Sequence, residues 1–159
     1  MNEKLKLIPA GQSAVTPYLT VTGAAKALEF YKSAFGAVET VRLVGPDGRV
    51  GHAELEINGT PIMLSEEYPE MDVRSPTTLG GSAVGIHLLV EDSDAVFNRA
   101  VKLGAIAINP VKDQFYGERS GKLKDPFGHI WYISTRTEEI SNEEMVRRAE
   151  SWMRGKSAD

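Results

Sequence analysis

The sequence predicts an α+β fold made of two βαβββ modules and a C-terminal helix. Three observations support this fold. Apolar residues alternate with period two in short segments, helical periodicity appears between them, and the order of elements in the first half returns in the second. The 159 residues, of which 42% are hydrophobic, are enough to bury a sizeable core.

The first module is expected over residues 14–67. Its predicted elements are a strand at 15–21, a helix at 24–35, and strands at 38–44, 49–57 and 61–65. The helix carries its apolar residues on one stripe and ends at Gly36, which is a common residue at that position. Between the last two strands, Asn58-Gly59 is a strong hairpin signal.

The second module is expected over residues 82–136, after a linker at 68–81 that has no sustained periodicity. A strand at 84–90 precedes a helix whose first turn can be capped by Asp92 or Ser93. Few identities connect the two halves. The repeated order of elements is therefore the main support for a duplication.

A further helix is predicted over residues 141–154, beginning with a capping box formed by Ser141 and Glu144. Its apolar face consists of Met145, Ala149, Trp152 and Met153. Such a helix can pack on its own module or on a second subunit, and the sequence leaves both alternatives open.

Composition excludes several classes of function. The 18 basic and 22 acidic residues give a net charge of -4 without a basic stripe, so nucleic acid is not an expected partner. The absence of cysteine excludes disulfides, thiolate catalysis and cysteine-ligated metals. No apolar run has the length of a signal peptide or approaches the ~20 residues of a membrane span, so no membrane partner and a cytoplasmic location are expected.

Four segments resemble those of a known superfamily: "PYLTVTGAAKALEFYKSAFGA", "GHAELEINGTPIMLS", "LLVEDSDAVFNRAVKLGA" and "DPFGHIWYI". They are similar to the vicinal oxygen chelate superfamily, which holds glyoxalase I, extradiol dioxygenases and bleomycin-resistance binding proteins. The chain looks most like the PhnB-like, or demethylubiquinone methyltransferase-like, group. The resemblance implies paired βαβββ modules curled around a cleft, commonly in a homodimer. It does not imply one activity, because members include isomerases, dioxygenases, fosfomycin-modifying enzymes and drug binders.

Within this fold, the period-two alternation of each strand separates an apolar face from a cleft face. The residues expected to line the cleft are Thr16, Tyr18, His52, Glu54, Met63, His87 and Tyr132. His129 has the parity of Trp131 and Ile133, which places it on the helix side or the rim. A cleft of this composition suits a partly apolar small molecule with polar groups.

In metal-dependent members of the superfamily, His, Gln or Glu side chains at four positions hold one divalent ion. The resemblance places these positions at Thr16, Met63, Gly85 and Tyr132. Such ions need imidazole or carboxylate donors, so no metal is expected at these positions and no cofactor is predicted. A displaced divalent site at His52, Glu54 and His87 is the alternative, against the simpler interpretation that these residues line a polar cleft.

Catalysis without a metal is a further alternative, with Glu54 or Glu56 acting as a general base. The segment 113–125 reads either as an exposed connection or as a lid over a ligand. The lid residues would be Phe115, Tyr116 and Arg119.

The expected function is therefore that of a metal-independent small-molecule binding protein of this superfamily, with a sequestering or resistance role. One alternative is a lyase, isomerase or dioxygenase with a non-standard divalent metal site. The other is a non-catalytic assembly or regulatory dimer.

Overall fold

The computed structural model describes residues 7–9 and 12–156, and the chain divides after Ser82 into two compact units. The strands are β1 (Tyr18–Val21), β2 (Val38–Val44), β3 (Val50–Ile57), β4 (Thr60–Glu66), β5 (Gly85–Leu89), β6 (Ile106–Asp113), β7 (Glu118–Lys124) and β8 (Ile130–Arg136). The α-helices are α1 (Ala24–Phe35), α2 (Pro76–Leu79), α3 (Ser93–Lys102) and α4 (Asn142–Lys156). None of these described helices is long and apolar enough to cross a membrane.

The first unit contains a four-stranded sheet in the order β1-β4-β3-β2. β1 runs parallel to β4, and the other pairs are antiparallel. Helix α1 packs on this sheet and buries Leu28 and Tyr31 completely, while Leu55 and Leu64 are buried on the sheet. The predicted βαβββ order is confirmed for this unit.

The first strand is shorter than predicted, because it begins at Tyr18 and not at residue 15. Pro17 has no N–H to donate to a sheet, which limits regular pairing before Tyr18. Its carbonyl still accepts a hydrogen bond from the Met63 backbone N–H at 2.9 Å. The irregular start leaves Thr16 outside the strand and half-buried.

Helix α1 receives its N-terminal cap from a distant strand. The residue before the helix is Gly23, with φ of 89°, and it has no side chain that could accept a hydrogen bond. The Glu66 carboxylate replaces such a cap, accepting from the backbone N–H groups of Gly23 at 2.6 Å and Ala24 at 2.8 Å. A carboxylate at this end also interacts favourably with the helix dipole.

The segment predicted as a linker, residues 68–81, contains a 3₁₀ turn at Pro69–Met71 and the short helix α2. The short helix has a local cause, because Ser75 caps α2 by accepting from the Thr78 N–H at 3.4 Å. Glu67 holds the same segment, accepting from the Ser75 N–H at 3.0 Å and from the Thr78 hydroxyl at 2.7 Å. The Thr22 hydroxyl donates to the same carboxylate at 2.8 Å, which ties the segment to the end of β1.

These hydrogen bonds, chiefly that from the Ser75 backbone N–H, lower the pKa of Glu67 from 4.5 to about 2. A carboxyl group whose pKa is lower in the folded state stabilises the fold above its unfolded pKa, and the contribution disappears as pH falls through the folded pKa. Glu67→Gln is therefore expected to lower the melting temperature at pH 7, with the difference from wild type shrinking between about pH 5 and pH 2. Melting curves over this range test the prediction, with exposed Glu70→Gln as control. A difference that stays constant down to pH 2 would contradict it.

The second unit repeats the architecture, with a four-stranded sheet in the order β5-β8-β7-β6 and β5 parallel to β8. Helix α3 packs on β6, β7 and β8. Of the two predicted caps, Asp92 is the observed one, and its carboxylate accepts from the Ala95 N–H at 2.9 Å. Trp131 and Ile133 are completely buried in this unit. The second βαβββ order is confirmed as well.

The segment 113–125, predicted as a loop or lid, is largely a β-hairpin. β6 extends to Asp113 and β7 begins at Glu118, which leaves only residues 114–117 as the connection. The segment "ERSGKLK" carries little hydrophobic alternation, and its strand conformation depends on pairing with β6 and β8. Such partners lie outside the local sequence pattern, so the pattern alone does not place this strand of the predicted βαβββ order.

The stretch "DPFGHIWYI" forms the turn into β8 around one buried carboxylate. Asp125 is 2% exposed and accepts hydrogen bonds from the backbone N–H groups of Phe127 and His129 and from the indole N–H of Trp131, each at 2.9 Å. His129 is itself buried, as are Trp131 and Ile133, which share its parity. The turn therefore stabilises the core of the second unit.

Helix α4 begins where the capping box predicted, with the Glu144 N–H donating to the Ser141 hydroxyl oxygen at 3.2 Å. Arg148 joins the helix to the chain after β8 through two hydrogen bonds of 2.7 Å to Glu138. The Trp152 ring lies 5.4 Å from the Phe115 ring between centroids. The helix thus contacts its own module, although Trp152 remains 47% exposed.

Candidate functional site

The first unit brings four of the predicted cleft residues together on one sheet face. Tyr18 pairs with Met63 across β1 and β4, and Met63 pairs with Glu54 across β4 and β3. His52 lies two residues from Glu54 on β3 and therefore points to the same side. Tyr18 is 51% exposed and the other three are half-buried.

Three of these side chains form a hydrogen-bonded chain. The Tyr18 hydroxyl lies 2.8 Å from His52 Nδ1, and His52 Nε2 lies 3.3 Å from Glu54 Oε1. Both ring nitrogens of His52 therefore have a partner. Glu56, the other predicted general base, is exposed two residues further along β3.

The second unit presents His87 and Tyr132 side by side, because the two residues pair across β5 and β8. His87 Nε2 lies 2.9 Å from the Ser134 hydroxyl and 3.1 Å from a Glu118 carboxylate oxygen. Both residues of the pair are exposed, so this sheet face is also polar and accessible.

The Tyr132 ring lies directly over Gly85. A Cβ atom built on Gly85 would stand only 2.5 Å from Tyr132 Cε2, so the ring occupies the space that any other side chain at position 85 would need. The two metal positions that the resemblance implies for the second unit are Gly85 and Tyr132. The first has no side chain, and the phenol ring of the second packs on its backbone.

The residues at the implied metal positions do not fit a divalent ion. Thr16 and Tyr132 carry hydroxyls, Met63 a soft thioether and Gly85 no side chain, whereas such ions need imidazole or carboxylate donors. Within residues 7–9 and 12–156, no group of three or more His, Asp or Glu side chains is arranged to hold a metal ion. Of the three residues of the displaced site, His52 and Glu54 lie in the first unit and His87 in the second, so this site stays a prediction.

A pocket of about 250 Å³ opens in the second unit. It is lined by Asn109, Gln114, Tyr116, Ser120, Gly121, Lys122 and Tyr132. Lys122 Nζ lies 5.3 Å from the centroid of the Tyr132 ring, within cation–π range. The Tyr116 hydroxyl lies 3.1 Å from that of Ser120. The pocket thus combines a cation, an aromatic ring, amides and hydroxyls.

The three predicted lid residues make different contacts, although the Phe115 and Tyr116 rings also meet edge to face at 5.2 Å between centroids. Tyr116 lines the pocket, whereas Phe115 packs against Trp152 of α4. Arg119 donates to the two carboxylate oxygens of Asp94 at 2.6 and 2.9 Å and to Asp113 at 3.1 Å. These carboxylates raise the pKa of Arg119 above its usual value, with Asp94 the stronger cause. The Arg119 guanidinium thus forms ion pairs with Asp94 and Asp113 within the second module.

Tyr116, a predicted lid residue, and Tyr132, a predicted cleft residue, both line this pocket, whereas no sequence motif singles out Asn109, Gln114 and Ser120 of its wall. These small polar residues lie on β6, β7 and their connection, where the hydrophobic pattern is weak. The one sequence signal for these pocket residues is the polarity of the two strands, which indicates that their side chains are exposed. Every described residue of β6 except Val111 is in fact exposed.

Comparison with known proteins agrees with this architecture. The family model of the Glyoxalase/Bleomycin resistance protein/Dioxygenase superfamily matches residues 13–133. An uncharacterized protein of Mycobacterium tuberculosis strain H37Rv is 44% identical over 137 residues, covering 84% of this chain and 81% of the relative. An uncharacterized protein of Arabidopsis thaliana is 29% identical over 124 residues, covering 74% of each chain.

Solved structures show the same fold at lower identity. A PhnB protein from Bacillus cereus has a TM-score of 0.63 at 21% identity, covering 77% of this chain and 99% of that one. The fosfomycin resistance protein FosX from Listeria monocytogenes, complexed with Mn(II) and sulfate, has a TM-score of 0.62 at 19% identity, covering 86% and 97%. The extent of the family match and the paired βαβββ sheets lead to one conclusion: this chain belongs to the glyoxalase/bleomycin resistance protein/dioxygenase superfamily.

Proposed function

We propose that this chain binds a small molecule without the divalent ion of its metal-dependent relatives, in a sequestering or resistance role. The observation that carries the proposal is the Tyr132 ring over Gly85, because it puts an aromatic pocket wall where metal ligands would stand. A flat ring beside a cation suits ligand binding, and binding alone needs no Lewis acid.

The pocket indicates what kind of ligand it would take. Its volume of about 250 Å³ lies just below the ~300–1,000 Å³ that is usual for ligand pockets, which suits a small ligand. Tyr132 offers a face on which a planar group can stack, and Lys122 offers a positive charge for an anionic group. A small aromatic carboxylate combines both features.

A homodimer is part of the proposal. β2 and β6 each form one of the two edges of their sheets, and both expose large apolar side chains. These are Val38, Leu43 and Val44 on β2 and Ile106 and Ile108 on β6. Exposed edges of this kind are usually covered in stable proteins, and a second copy of the chain would cover them.

Native mass spectrometry with metal analysis tests these statements together. The purified protein is expected to be a dimer that contains no stoichiometric transition metal and that retains any small molecule that co-purifies. A stoichiometric transition metal would overturn the proposal in favour of an enzyme with a non-standard metal site. A monomer would remove the homodimer from the proposal.

Ligand binding is tested by a thermal-shift screen of small aromatic carboxylates and their neutral amides in the presence of EDTA. The carboxylates are expected to raise the melting temperature, and Lys122→Met is expected to weaken their binding about tenfold by removing a charge-assisted contact. Lys124→Met is the matched control, because Lys124 lies on the same strand but is exposed and outside the pocket lining. Stabilisation that EDTA abolishes, or a complete lack of stabilising compounds, would contradict the proposal. The second outcome would favour an assembly or regulatory role.

A further inference from the structure

Tyr18, His52 and Glu54 form a hydrogen-bonded triad of titratable side chains that the proposed binding function does not use. All three lie in the first unit, whereas the pocket lies in the second. The Tyr18 hydroxyl is 2.8 Å from His52 Nδ1, and His52 Nε2 is 3.3 Å from Glu54 Oε1. The three groups, each able to exchange a proton, are thus joined in series by two hydrogen bonds.

The hydrogen-bond chemistry of this triad determines which atom donates the hydrogen at each of its two contacts. An ionised carboxylate can only accept, so the contact with Glu54 requires His52 Nε2 to carry the hydrogen. In neutral imidazole the other nitrogen is then an acceptor, and His52 Nδ1 can only receive the proton that the Tyr18 hydroxyl donates. The carboxylate therefore selects the tautomer in which imidazole acts as a base toward the phenol.

This arrangement has the logic of an activated nucleophile: a hydroxyl, a base within hydrogen-bond reach and a third group that orients the base. We propose that Tyr18 is a metal-independent proton-transfer residue, with His52 as its base and Glu54 as a positioning residue. The exposure of the side chains fits these roles. Tyr18 is 51% exposed and can meet a ligand, whereas the side chains of His52 and Glu54 are only 25% and 23% exposed.

The step that such a relay performs is balanced without a metal or a redox partner. The Tyr18 oxygen takes an acidic proton from the ligand while its own proton passes to His52 Nδ1. The products are a ligand anion and an imidazolium that the Glu54 carboxylate stabilises. The same step runs in reverse when the anion takes a proton back from the Tyr18 hydroxyl.

The chemical reactivity of Tyr18 tests the relay without knowledge of the substrate. The probe is benzenesulfonyl fluoride, which forms a bond between its sulfur and the phenol oxygen while fluoride leaves and the phenol proton passes to His52. Peptide mass spectrometry gives the labelling rate of each tyrosine in the same molecule. Tyr132, which is 39% exposed, is the internal reference. Tyr18 is expected to react at least about tenfold faster than Tyr132.

Two variants examine the partners of Tyr18. His52→Gln removes the base. Glu54→Gln replaces a carboxylate that only accepts by an amide that can also donate to Nε2, so the tautomer that takes the phenol proton is no longer enforced. Each is expected to slow labelling of Tyr18 about tenfold and to leave the rate at Tyr132 unchanged, with circular dichroism confirming the fold. Glu54→Gln is isosteric and keeps the test valid if His52→Gln does not fold.

Equal labelling rates at Tyr18 and Tyr132 in the wild type would overturn the relay, as would unchanged labelling in the folded variants. An equally large slowing by Glu56→Gln would overturn the assignment of Glu54. These outcomes are independent of the carboxylate-binding test, which involves Lys122 in the second unit. Failure of one proposal therefore leaves the other standing.

Discussion

Asp125→Ala is expected to lower the free energy of unfolding by about 3–5 kcal/mol. The carboxylate accepts from three N–H donors at 2.9 Å, and it is 2% exposed. Its removal leaves these donors without this acceptor, and each buried donor left unsatisfied costs ~1–3 kcal/mol. Urea denaturation with linear extrapolation measures the loss.

The matched control is Asp47→Ala, at the turn between β2 and β3 of the first module. Asp47 also accepts from a backbone N–H two residues ahead, that of Arg49 at 3.1 Å, but its side chain is 47% exposed. Water can replace this acceptor, so a much smaller loss is expected. Equal losses in the two variants would show that burial of Asp125 is not what makes its turn stable.

Gly121→Ala is expected to cost about 1–3 kcal/mol through overpacking of the second unit. Its Cβ would lie 2.8 Å from Val111 Cγ2 and 2.9 Å from Phe97 Cε2, where β7 meets α3. Phe97 is only 6% exposed, so its ring has little room to move away. The change is measured by urea denaturation, with the melting temperature as a second readout.

Gly51→Ala provides the comparison, since Gly51 occupies the third strand of the first module. A Cβ there would meet the Tyr68 hydroxyl oxygen at 3.6 Å, which is an ordinary contact. Replacing such a glycine reduces the entropy of the unfolded chain, so stability should stay the same or rise slightly. A similar loss at both positions would indicate that chain flexibility, and not packing against α3, controls the effect.

The order of elements and the buried faces could be predicted because both are local. In β3, Ala53, Leu55 and Ile57 are buried and alternate with residues of the polar face, as the period-two pattern predicted. The two helices after β1 and β5 were equally visible from their apolar stripes. These signals involve residues a few positions apart, so sequence alone is enough to find them.

The remaining features depend on contacts between distant segments. The cap of α1 comes from Glu66, 43 positions after Gly23. The Tyr18–His52 contact joins residues 34 positions apart and needs the strand order of the first sheet. Asn109 and Ser120 of the pocket wall are small polar residues on β6 and β7 that carry no periodic signal. Sequence reasoning therefore placed Tyr18, His52 and Glu54 on one face without finding how they are connected.

The packing of Tyr132 on Gly85 makes these two positions energetically dependent on each other. Gly85→His would place a Cβ 2.5 Å from the existing ring, so an imidazole ligand cannot be added there while Tyr132 keeps its position. Tyr132→Glu alone would supply one donor beside a glycine that supplies none. Two metal ligands in this unit thus require both changes, and each single change disrupts the packing of the ring on the backbone without completing the pair. The effects of the two substitutions on stability are therefore expected to be non-additive.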